Sequence, residues 1–191
     1  MTADLSPLVA TAAECGHPGL VARVVAASPR RAVWFALRGR ELLVSERVLE
    51  RLAPPEACAL LLNHLLRRRR LRRLALVVPI GLAAGAVGGA ALASAPGATG
   101  GLADAWPVGV IGLGLGVVIA AIARQRAVFA ADDECVARLG GDPTPLVRAL
   151  NGMNRAELRL GQLRVPAHPD LHPRAERLAR RHKLCESLLP S

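Results

Sequence analysis

EACALLLNHLLRRRRLRRLALVVPIGLAAGAVGGAALASA, residues 56–95, decides how the rest of the chain is read. Its first part is a leucine-rich run that breaks into arginines, and its second part carries no charge at all. Residues 74–95 are uncharged and long enough to cross a hydrocarbon core of about 30 Å. A second uncharged run, WPVGVIGLGLGVVIAAIA (106–123), follows the turn-forming segment APGATGGLAD, with Trp106 at its opening where an interfacial ring would sit. The expectation is a two-helix membrane hairpin at 74–95 and 106–123. Gly81, Gly85 and Gly89, and again Gly112 and Gly116, recur every four residues and would let the two helices approach closely.

Arginine sets the expected orientation. Arg67, Arg68, Arg69, Arg70, Arg72 and Arg73 precede the first run, Arg124 and Arg126 follow the second, and the segment between carries no positive charge. Both termini are therefore expected in the cytoplasm, in a multi-pass protein of the plasma membrane, a bacterial inner membrane. Residues 1–13 lack a basic start and a long apolar run, so no cleavable signal is expected.

The net charge of +10 is almost wholly arginine, Lys183 being the only lysine. The aromatic residues are Trp34, Phe35, Trp106 and Phe129, too scattered to build a stacking platform, so nucleic acid is not an expected partner. Cys15, Cys58, Cys135 and Cys185 lie far apart with no CxxC pair, which argues against a metal knuckle or a disulfide framework. Asp132, Asp133 and Glu134 form an acidic run expected to be at the surface or ion-paired. His168 and His172 have ligand-like spacing, but Pro173 disfavours a helix at His172, which places the pair in a loop.

The flanks read as mixed α and β structure. A short helix covers 4–15, strands are expected at 23–28, 32–37 and 41–45, and a helix runs from Glu46 to Leu52. Pro54-Pro55 stops that helix and opens the next, Glu56–Arg73, with Pro55 suited to the first turn. After the hairpin, helices are expected at 124–139, ending at Gly140-Gly141, at Pro145–Leu163, and at Pro173–Leu189 with Ala175, Leu178, Ala179, His182, Cys185 and Leu189 on one face.

In their order and spacing, VWFALRGRELLVSERVLERL (33–52), EACALLLNHLLRRRR (56–70), RAVFAADDECVARLGGDP (126–143) and HPDLHPRAERLARR (168–181) resemble the membrane zinc metallopeptidases of the HtpX heat-shock and CAAX prenyl endopeptidase kind. The resemblance covers roughly residues 5–181. It implies an α+β, mostly α fold: a minimal gluzincin-like metallopeptidase domain with a small β-sheet, split by the hairpin into residues 1–73, 74–123 and 124–191. The zinc motif of such enzymes places two imidazoles one helical turn apart beside a glutamate that deprotonates the bound water. In this chain Asn63, His64 and Arg67 match its His, Glu and His positions, and Phe129 matches the third ligand. Asp133 matches an aspartate that is retained.

Every ligand and the base are thus replaced, and a guanidinium has no lone pair to give a metal. No catalytic residue, metal ligand or cofactor is assigned. The expected function is that of a degenerate homologue, a pseudopeptidase with a binding or regulatory role. Two alternatives stand beside it: an active membrane-bound zinc endopeptidase with atypical ligands, and a structural membrane protein holding anionic lipid. Expected partners are membrane lipid and a membrane protein or extended peptide, the last taken up by strand addition at the retained strand pair. Arg67, standing where the metal would have been, is expected to pair with Asp133.

Overall fold

The computed structural model describes residues 4–26, 34–93, 102–159 and 171–184. The chain divides into two compact units, one formed by residues 1–66 and 131–191 and the other by 67–130.

The first unit opens with helix α1 (Ser6–Glu14), which ends where Gly16 takes φ +87 and the His17 N–H reaches back to the Ala12 carbonyl at 3.0 Å. Strands β1 (Val21–Val25), β2 (Phe35–Arg38) and β3 (Glu41–Ser45) form one sheet in the order β1-β3-β2. β2 and β3 make a hairpin closed by the in-register pair Arg38 and Glu41, and Gly39 at φ +55 supplies the turn. β1 runs parallel to β3 and pairs Val21 with Glu41 through Val25 with Ser45. Alternation along the strands puts Leu42, Val44 and Phe35 on the inner face, where each is at most 2% exposed.

Helix α2 (Glu46–Arg51) follows directly. Helix α3 (Pro54–Ala93) begins with both prolines in its first turn, where their missing N–H groups cost no helical bond. Glu56 accepts the Ala53 N–H at 3.0 Å, one half of a capping box. Helix α4 (Leu102–Arg138) ends in a Schellman turn: Gly140 has φ +74 and the Gly141 N–H bonds to the Val136 carbonyl at 2.9 Å. Asp142 accepts the Thr144 N–H at 2.9 Å ahead of helix α5 (Thr144–Arg159), and hydrogen bonds from Thr144 hold its carboxyl below the usual range.

The last helix, α6 (Leu171–Arg181), starts earlier than expected. His172 is helical because Pro173 falls within the first turn, where no intrahelical donor is needed. The loop expected at this position is therefore corrected. His168, its proposed partner, lies outside the described residues, as do Cys185 and Leu189. His182 lies just past the helix and is exposed, while Ala175, Leu178 and Ala179 are buried as the periodicity requires.

α6 also stops early, because Lys183 takes φ +53 and the Leu184 N–H bonds to the Ala179 carbonyl at 3.0 Å. A side chain in this left-handed conformation is strained. Lys183→Gly is expected to raise stability by about 1 kcal/mol, a gain of about 2–4 °C in melting temperature for a chain of this size. An unchanged or lower melting temperature would contradict this assignment of the cap.

One core serves this unit. It includes Leu8 and Ala12 of α1, the inner face of the sheet, Val48 of α2, and Ala57, Leu60, Leu61 and Leu65 of α3. Ala131, Cys135 and Val136 of α4, Leu146 and Leu150 of α5, and Ala175 and Leu178 of α6 complete it.

The second unit contains the remainder of α3 and most of α4. Here the sequence reading is overturned. Among the described residues no helix is long and apolar enough to cross a membrane. Residues 74–93 of the first run and the whole of 106–123 lie within helices of 40 and 37 residues, so length is not what they lack. Glycine and alanine make up more than half of the first run and bring little apolar area per residue, and each helix carries arginines at the end of the run. The membrane hairpin is withdrawn from the fold, and with it the orientation read from the arginines and the multi-pass plasma-membrane placement. What stands is a small, mostly helical α+β protein with a three-stranded sheet.

Candidate functional site

Three helices of the first unit bring one polar side chain each into its interior. Asn63 from α3, Asp132 from α4 and Arg174 from α6 are at most 2% exposed. The Asn63 amide donates from Nδ2 to Asp132 Oδ1 at 2.7 Å. Arg174 donates from Nε to Asp132 Oδ2 at 3.1 Å and from Nη2 to Asn63 Oδ1 at 2.8 Å. Its Nη2 also bonds to Asp132 Oδ1, completing a two-point contact between guanidinium and carboxylate.

The positions follow from helical geometry. Asn63 lies one turn beyond Ala59 on α3, and Cys135 lies three residues beyond Asp132 on α4. The Cys135 thiol approaches the Ala59 carbonyl at 3.4 Å, so a second contact joins the two helices beside Asn63–Asp132. Burial, with Asp132 nearby, pushes the Cys135 thiol up to about 12. At pH 8 that leaves about a thousandfold less thiolate than an ordinary cysteine provides. Maleimide at pH 8 is therefore expected to leave Cys135 unlabelled in the native protein and to modify it on unfolding, as peptide mapping would show. Rapid native labelling of Cys135 would refute the packing described.

A second, more exposed layer lies on the same face of α6. Asp133 accepts from Arg177 Nη2 at 2.9 and 3.2 Å and from Arg181 Nη1 at 2.7 Å. Arg138 pairs with Glu134 at 3.0 Å, and Arg180 pairs with Glu176. Such half-exposed pairs contribute at most about 1 kcal/mol each. The acidic run is thus ion-paired, but unevenly, with Asp132 inside and its two neighbours at the surface.

The structure unites only one of the motif positions singled out in the sequence with the buried cluster. Asn63 is in it. His64, the next residue, is half-buried, with its ring centroid 6.0 Å from that of Phe35. Arg67 and Phe129 fall in the other unit. Asp133 takes its guanidinium groups from α6, which corrects the expected pairing with Arg67. The buried acid is Asp132, one residue earlier, and the buried cation is Arg174.

Arg174 was not singled out, although a signal existed. Leu171, Ala175 and Leu178 lie at helical spacing around it, so Arg174 sits within the apolar stripe of α6.

The residues present do not fit zinc. Around Asn63, the one motif position in the cluster, there are a carboxylate whose two oxygens are both hydrogen-bonded and a fixed guanidinium without a lone pair. Among the described residues no group of three or more His, Cys, Asp or Glu side chains could hold a metal ion. The cluster is sealed and internally satisfied, so it offers no group for proton transfer or nucleophilic attack. Comparison with known proteins gave no match to a family model, a curated protein or a solved structure.

Proposed function

We propose that the chain is a non-catalytic relative of the zinc metallopeptidases it resembles, a pseudopeptidase that binds a polypeptide segment instead of cleaving it. The observation that carries this reading is Arg174. A guanidinium sealed between the former zinc helix and the following helix supplies internally a positive charge of the kind a metal would bring. It holds α3, α4 and α6 together without a coordination site. The one-residue difference between Asp133 and Asp132 moves the match for the third ligand from Phe129 to Val128, a side chain equally unable to bind metal.

Elemental analysis after mild purification tests the reading. Zinc is expected at far less than one per chain. About one zinc per chain, lost on His64→Ala, would overturn the proposal and favour an enzyme with atypical ligands.

A further inference from the structure

Resting on the reading of this chain as a binding module, we infer that the outer edge of β1 accepts an extended, acidic segment of another protein as an added strand. Among the described residues β1 lies at the edge of the sheet, with β3 on one side only. The Val21 N–H bonds to the Arg40 carbonyl at 2.9 Å, so the backbone groups of Val21, Arg23 and Val25 face β3. Those of Ala22 and Val24 point outward, and an incoming strand would take them up.

The side chains along this edge are unusual for a strand bordering solvent. Val21 is 66% exposed and Val24 41%, although Val24 belongs to the inner, core-facing side of the sheet. An open groove of about 460 Å³ lies on that same side between α1 and β1, lined by Leu5, Ser6, Val9, Ala10 and Ala22. Alternate side chains of an added strand would enter this groove, which is mainly apolar and lined by small to medium residues.

Charge selects the occupant. Arg23, at the middle of β1, points to the outer face and is exposed, as is Arg40 beside Val21. Glu41 already faces Arg38 in register across the hairpin. A carboxylate opposite Arg23 is therefore matched. A second copy of this chain, antiparallel about the centre of β1, would set Arg23 against Arg23, a destabilising like-charge pair. The structure thus favours a segment that alternates small apolar residues with acids.

The test uses the full chain and a fluorescein-labelled heptapeptide of alternating Glu and Val, with an alternating Lys and Val peptide as control, read by fluorescence anisotropy. Saturable binding of the acidic peptide and not of the basic one is expected. Arg23→Glu should weaken it at least tenfold and shift preference toward the basic peptide. Val24→Pro removes an outward N–H without touching the β1–β3 ladder, and should abolish binding with the circular dichroism spectrum unchanged. Absence of binding at millimolar peptide, or affinity indifferent to Arg23→Glu, would overturn the inference while leaving the zinc result untouched. Dimerisation in sedimentation that Val24→Pro abolishes, with no peptide binding, would overturn it in favour of a second copy.

Discussion

Arg174→Ala is expected to destabilise the protein by about 3–5 kcal/mol, because it strands the Asp132 carboxylate in an apolar interior. For a chain of this size that is a fall of about 6–20 °C in melting temperature. Asp132→Ala should cost a similar amount, since it leaves the Arg174 guanidinium, 2% exposed, without its acid. The double variant should lose less than the sum by about 0.5–3 kcal/mol, the coupling expected of groups in direct contact. Replacing Asn63, Asp132 and Arg174 together by Leu, Leu and Met should be close to neutral or stabilising, because the desolvation of two charges disappears along with their attraction. Thermal denaturation of the four variants decides the matter. A loss below about 1 kcal/mol for Arg174→Ala, the range of an exposed pair, would show that the cluster is open to water.

Leu178→Ala is the second large effect, at about 2–5 kcal/mol. Leu178 is fully buried one turn beyond Arg174, in the core that also holds Leu146 and Leu150 of α5. Truncating it loosens the helix that carries the guanidinium, so the loss of packing should extend to the polar cluster. Labelling of Cys135 by maleimide reports this separately from global stability, and it should quicken in Leu178→Ala under native conditions. Leu178→Met, which nearly conserves volume, should cost under about 1.5 kcal/mol and leave the thiol protected. Protection of Cys135 unchanged in Leu178→Ala would separate the cluster from the seating of α6.

Local signals in the sequence carried well. Pro54-Pro55 for the helix start and Gly140-Gly141 for the helix stop each act through their own backbone chemistry, and each stands where it was expected. The parallel pairing of β1 with β3 was not legible, because alternation fixes which face a strand buries and not which strand lies beside it. The apolar runs at 74–95 and 106–123 misled, because freedom from charge does not by itself make a membrane span.

Of the buried cluster, the sequence offered Asn63 and an acidic run, but not which of its acids is buried. A match on residue order alone cannot separate Asp132 from Asp133, yet one residue turns the side chain by about 100° and takes it from the interior to the surface. Arg174 escaped notice because an arginine on an amphipathic helix is usually assigned to the wet face. Its partner, 42 residues earlier in the chain, leaves no local trace.

The buried cluster also has a kinetic consequence. Its members are separated by 69, 42 and 111 residues, so each contact closes a long stretch of chain. Helices and the β2–β3 hairpin need only neighbouring residues, whereas these three side chains can meet only after α3, α4 and α6 have assembled. Contacts absent from the folding transition state act on the unfolding rate and scarcely on the folding rate. The polar cluster accordingly governs how long the native protein persists once formed, more than how quickly it forms.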